Sequence, residues 1–169
     1  MRVSISKVAT WAIMSLCVIV SMSSAVANEE LELDQQTMCL AKNIYYEAGR
    51  EQFRGKVAVA QVTLNRVYHE RFPKTICGVV QQRTRVGNKI ICQFSWACNP
   101  VNKVRYLSEA WRESLLAAQQ VLEENLRMER LNRALYFHAT HVNPQWGLER
   151  LTRIGNHIFY SEDKAARKK

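Results

Sequence analysis

Between Asn43 and Glu51 the chain reads Asn-Ile-Tyr-Tyr-Glu-Ala-Gly-Arg-Glu, which puts one carboxylate, Glu47, near the C-terminal end of an otherwise apolar run. A carboxyl group there is partly withdrawn from water, so its neutral form is favoured and its pKa rises. That is the state a general acid needs near neutral pH. The alternative is a Glu47 paired with Arg50 or Arg54, and Glu51 is expected as a surface or supporting residue, turned outward or toward the same two arginines. Gln93 and Ser95 alternate with Phe94 and Trp96. As a strand, this run sets the polar pair on one face and the aromatics on the other, and the polar pair suits acetamido and hydroxyl groups. Tyr45, Tyr136 and Trp146 are further candidates for a binding groove. His138, His141 and His157 raise the alternative of a three-histidine zinc site. They fall on mixed extended and loop segments without a helical H-E-x-x-H pattern, so no metal or cofactor is expected.

The elements that must carry these residues follow from spacing. Met38, Ala41, Tyr45 and Ala48, widened by Leu40 and Ile44, predict a buried helix ending near Gly49. Val57, Ala60, Leu64 and Val67 predict a second, stopped by Phe72-Pro73. Asn65 on that helix must be hydrogen-bonded if buried, either between helices or to a ligand. Thr75 to Gln82 suits a short third helix. Val86-Gly87-Asn88-Lys89 is a turn signal and predicts a small β-hairpin leading into Cys92–Cys98. Ser108 is placed to cap a long helix whose apolar face is Trp111, Leu115, Ala118 and Leu122. Leu135 to Tyr160 mixes short extended pieces with loops. The sum is one α+β domain, mainly helical.

Composition narrows the setting. Arg2 and Lys7, the apolar stretch from Val8 to Met22 and Ala25-Val26-Ala27 follow the order of a secretory signal peptide cleaved after Ala27. The rival reading, an uncleaved anchor, has an apolar run shorter than the ~20 residues a comfortable span needs. Residues 28–37 read as a polar leader, and 161–169 as a basic tail. Cleavage removes Cys17 and leaves Cys39, Cys77, Cys92 and Cys98, which in an exported chain predict two disulfides of open connectivity. The formal charge of +9 over 169 residues suits a polyanionic partner, and the export signal points away from nucleic acid and toward the cell envelope.

Seven stretches in order carry a resemblance. Tyr46-Glu47-Ala48, Gly55 to Ala60, Leu64-Asn65-Arg66-Val67, Phe72-Pro73, Cys77-Gly78-Val79-Val80, Cys92 to Trp96 and Ile154 to Tyr160 together resemble the SleB/CwlJ-type cell wall hydrolases over residues 38–160. The resemblance implies a lysozyme-like, lytic-transglycosylase-like fold and cleavage of peptidoglycan glycan strands between N-acetylmuramic acid and N-acetylglucosamine. In it, the glutamate matching Glu47 is the catalytic acid, and Gln93, Phe94 and Ser95 help line the cleft. One departure stands out. The family usually reads Glu-Ala-Arg-Gly-Glu where this chain has Glu47-Ala48-Gly49-Arg50-Glu51. The alternatives are a zinc amidase using the three histidines and a peptidoglycan-binding protein without catalysis.

Overall fold

The computed structural model describes residues 34–99 and 103–162. The expected signal peptide, the start of the expected leader and the last residues of the expected tail lie outside them. Helix α1 (34–48) already includes residues 34–37, which the sequence pattern assigned to the leader. Its buried side is Leu40, Ala41, Ile44 and Ala48, while Met38 and Tyr45 sit half-buried at the edge of that stripe.

Helix α2 (Phe53–Tyr68) is the hub. It is buried around nearly its whole circumference, the condition for a helix in the middle of a core. Val57, Ala60 and Leu64 join α1, α3 and α4 in one apolar cluster. Ala58 and Val62 join Leu131, Ala134 and Phe159 in a second. The helix ends at Tyr68, where His69 turns to extended backbone, earlier than the expected stop at Phe72-Pro73.

Helix α3 (Ile76–Val80) begins at Thr75, whose side chain accepts from the Gly78 N–H. Strands β1 (Arg83–Val86) and β2 (Lys89–Cys92) form the expected hairpin, with Val86 opposite Lys89 across a two-residue loop. Gly87 has φ of 60° there, which fits a tight hairpin loop with glycine first. Helix α4 (Glu109–Leu122) is capped as expected, Ser108 accepting from the Trp111 N–H. Its buried face is Trp111, Ser114, Ala117, Ala118 and Val121, so the helix is rotated from the predicted stripe and Leu115 and Leu122 are only half-buried. The extended pieces near the C-terminus form an antiparallel sheet in the order β3 (Tyr136–Ala139), β5 (His157–Ser161), β4 (Glu149–Ile154). Phe159 on the central strand is fully buried against α2.

Two disulfides close the described fold, Cys39–Cys77 and Cys92–Cys98. The first ties α1 to α3 and the second brackets residues 93–97. Among the described residues no helix is long and apolar enough to cross a membrane.

The bridges span 38 and 6 residues, so chain-entropy arguments give about 4 kcal/mol for Cys39–Cys77 and about 2 kcal/mol for Cys92–Cys98. Urea unfolding of the paired Cys→Ser variants should reproduce that order. Equal costs, or a larger cost for the short bridge, would contradict it.

Candidate active site

Glu47 occupies the last turn of α1 and is half-buried. Burial pushes its carboxyl up to about 7, and the Arg66 guanidinium pulls the other way. Arg66 projects from α2 and is itself buried. Its Nε donates to the Leu135 carbonyl at 2.8 Å, and its guanidinium carbon lies 5.4, 5.3 and 5.8 Å from the ring centres of Phe72, Phe94 and Tyr136. Burial lowers the Arg66 pKa to about 10, with Tyr136 and then Glu47 opposing the shift. The group therefore remains a cation at neutral pH. Its Nη1 is buried without a hydrogen-bond partner, an arrangement that ring faces make tolerable for a guanidinium.

Glu47, Arg66, Cys92, Gln93, Phe94, Ser95 and Phe137 line one open cavity of about 250 Å³. Gln93 and Ser95 are exposed and Phe94 is buried. The polar and apolar alternation is thus real, although its backbone is not a strand. β2 stops at Cys92, the Gln93 N–H donates to Gln82 O at 2.9 Å, and Ser95–Cys98 is a 3₁₀ turn. That turn is anchored from inside. The Trp96 Nε1–H donates to Asn43 Oδ1 at 3.2 Å, and Asn43 Nδ2 donates to Thr63 Oγ1 at 3.0 Å. Asn43 has no access to solvent, so these bonds satisfy an amide that would otherwise be costly to bury.

The other groove candidates are not brought to this cavity's wall. Tyr45 packs on Tyr46 and Trp111, with its hydroxyl accepting from the Arg105 N–H at 3.4 Å. Tyr136 stands behind Arg66 and hydrogen-bonds Glu162. Trp146 packs on Tyr136, His138 and Tyr160. Asn65 is an interhelical tie, donating to Leu131 O and Ala134 O at 2.7 and 2.8 Å.

Glu51 does not turn outward or toward Arg50 and Arg54. Its carboxylate accepts from the Asn156 backbone N–H at 3.2 Å and the Asn156 side chain at 3.0 Å, and lies 3.9 Å from His157 Nδ1. Gly55 and Gly155 make room for it. A Cβ at Gly155 would come within 1.9 Å of Glu51 Oε2, and that glycine also has φ of +55°. Glu51 therefore docks the chain just beyond α1 onto the β4–β5 turn. The three histidines do not converge. In the β3–β5 register His138 faces Ile158 and His157 faces Ala139, which puts the two rings on opposite faces of the sheet, and His141 is exposed. Among the described residues no three His, Cys, Asp or Glu side chains are grouped to hold a metal ion.

Lys56 escaped notice in the sequence. It is 1% exposed, and its ammonium donates to the carbonyls of Gly49 and Glu51 and pairs with Glu113 on α4 at 2.9 Å. It clamps the loop that follows Glu47. The one available signal was a lysine inside an apolar helical stretch. Gly49, at the inverted Gly-Arg pair, is required by close approach: a Cβ there would lie 2.4 Å from the Tyr45 carbonyl oxygen. Arg50, next to it, is exposed.

Comparison with known proteins decides the family, because residues 50–160 match the one described as Cell Wall Hydrolase. The chain belongs to the cell wall hydrolase family. It is 29% identical over 142 residues to the spore cortex-lytic enzyme of Bacillus subtilis (strain 168), with 82% of this chain and 40% of that protein aligned. The chain thus spans well under half the length of that relative. Among solved structures it is similar to the catalytic domain of the germination-specific lytic transglycosylase SleB from Bacillus anthracis, with a TM-score of 0.55, 28% identity and coverage of 75% of this chain and 93% of that one. The catalytic domain of the Bacillus cereus SleB protein gives a TM-score of 0.51 at 27% identity, covering 75% and 91%. The lytic-transglycosylase-like fold expected from the resemblance is therefore the fold of this cell wall hydrolase.

Lys56→Met should destabilise the protein by about 3 kcal/mol, because two buried carbonyls lose their donor at ~1–3 kcal/mol each. Glu113→Gln, which alters only the exposed end of the clamp, should cost about 1 kcal/mol or less. Urea titration of both variants checks this, and a Lys56→Met protein as stable as the wild type would refute the clamp.

Proposed function

We propose that this chain cleaves peptidoglycan glycan strands between N-acetylmuramic acid and N-acetylglucosamine as a lytic transglycosylase, with Glu47 as its single acid and base. The observation that carries this reading is a carboxyl group poised near 7 at the edge of a cavity on whose lining, among the described residues, it is the one carboxylate. A retaining glycosidase needs a partner carboxylate ~5–5.5 Å away and an inverting one needs it ~6.5–9.5 Å away. Glu51, the nearest in sequence, is engaged by Asn156. With one carboxylate the substrate must supply the nucleophile. Glu47 donates its proton to the glycosidic oxygen of the departing N-acetylglucosamine, and the C1–O bond breaks. The muramic acid C6 hydroxyl then bonds to C1 and returns its proton to Glu47, leaving a 1,6-anhydro ring and a recharged acid. The relatives' names as cortex-lytic and lytic transglycosylase proteins agree with this chemistry. Because the family match begins at residue 50, the assignment of Glu47 rests on the cavity and on the resemblance of Tyr46-Glu47-Ala48.

In this reading Gln93 and Ser95 hold polar groups of the sugar over Glu47, and Phe94 backs the wall. Residues 38–160 form the catalytic domain. Residues 1–27 direct export, and the two disulfides suit the oxidising envelope to which export leads.

Glu47→Gln should lower muropeptide release from purified sacculi by about 10²–10⁴-fold without loss of fold. Wild-type activity should fall as pH rises through about 7, where the acid loses the proton it must donate. Mass spectrometry should find products one water lighter than reducing-end muropeptides. Uniformly reducing ends would overturn the transglycosylase step, and an active, folded Glu47→Gln would overturn the acid.

A further inference from the structure

A second groove, of about 500 Å³, draws on the same two segments as the Glu47 cavity and is lined by Lys42, Tyr46, Trp96, Ala97, Asn99, Lys103, Val104 and Tyr106. Its walls continue those of the first: Tyr46 precedes Glu47 on α1, and Trp96 follows Ser95 in the 3₁₀ turn. Tyr46 and Trp96 are stacked at 4.5 Å between ring centres, 24° from parallel. Trp96 cannot swing, because its indole N–H is held by buried Asn43 and its turn is closed by Cys92–Cys98. The result is a rigid aromatic stack, whose outer face can bury the apolar face of a sugar while Tyr46 offers a hydroxyl. Burial, then Tyr45 and Tyr106, push that hydroxyl's pKa up, so it stays a donor.

Two cations rim the stack. Lys42 lies one turn before Tyr46 on the same side of α1, and Lys103 also lines the groove. Neither ammonium has a carboxylate partner among the described residues. An aromatic stack beside unpaired ammonium groups, on residues next in sequence to Glu47 and Ser95, matches a polymer that alternates sugar rings with carboxylate-bearing side arms. We propose that this groove seats the muramyl unit beside the scissile bond, one pyranose face against the outer face of the Tyr46–Trp96 stack and its peptide-stem carboxylates against Lys42 and Lys103. The assignment rests on peptidoglycan being the substrate and names the part of it that this groove reads.

The test uses binding, so that it does not depend on turnover. In a Glu47→Gln background, the protein is pelleted with purified sacculi, either untreated or with their carboxylates converted to amides by carbodiimide and ammonia. The parent should prefer untreated sacculi, less so as salt rises. Lys42→Ala/Lys103→Ala should reduce that preference about fivefold, the scale of exposed charge pairs, and Lys42→Arg/Lys103→Arg should retain most of it. Arg54→Ala/Arg130→Ala removes two exposed charges from the lining of a different cavity and should change the preference far less. A parent without preference, a lysine double variant that keeps it, or an arginine pair that lowers it equally would each overturn the proposal. Absence of muropeptide release by the wild type would instead sink the proposed reaction and leave the binding result standing.

Discussion

The site depends on one opposition, between the burial of Glu47 and the buried charge of Arg66. Withdrawal from water favours the neutral carboxyl, and a nearby guanidinium favours the ionised one. The balance lies near 7, where a carboxyl can both give a proton and take one back. Neither half works alone. Without Arg66, burial would push the pKa higher still, and without burial the group would be an ordinary surface glutamate. Arg66 can remain charged indoors because Leu135 O takes its Nε hydrogen and three aromatic rings surround the guanidinium.

The fold maintains this opposition through the polar residues of α2. Between them they tie down the segments that bear on the cavity. Lys56 holds the loop after Glu47, and Thr63, through Asn43 and Trp96, holds the facing 3₁₀ turn. Gln61 and Asn65 fix residues 128–134, which lead into β3 and so to Phe137 on the cavity wall. Buried polar groups are costly unless satisfied, so these contacts select one arrangement of the surrounding loops. Substitution at any of them should disturb the site as well as the stability of the core.

How far the sequence alone reached follows from the range of each interaction. Helical spacing exposed α1, α2 and α4, the Gly87-Asn88 turn exposed the hairpin, and Ser108 exposed its cap, since all are set by neighbours a few residues apart. Glu47 was legible because its apolar surroundings are local to α1. Glu51 was misjudged because its partner, Asn156, lies 105 residues away. The burial of Lys56 and the role of Arg66 depend on the packing of α2 against several elements at once, and the Cys39–Cys77 pairing on how α1 meets α3. The alternation at Gln93–Trp96 predicted which side chains are exposed but not the 3₁₀ turn that presents them or Phe94's place on the cavity wall, because a strand and this bend produce the same exposure pattern over four residues.

The central claim is that Glu47 carries a proton near neutral pH, and it can be read without substrate. Carboxyl-carbon NMR of protein labelled with ¹³C at glutamate, with Glu47→Gln used to assign the resonance, gives the titration of that one group. The midpoint should lie near 7 and move higher in Arg66→Gln as the opposing charge is removed. A midpoint close to the ordinary value of about 4.3, or one unaffected by Arg66→Gln, would contradict it.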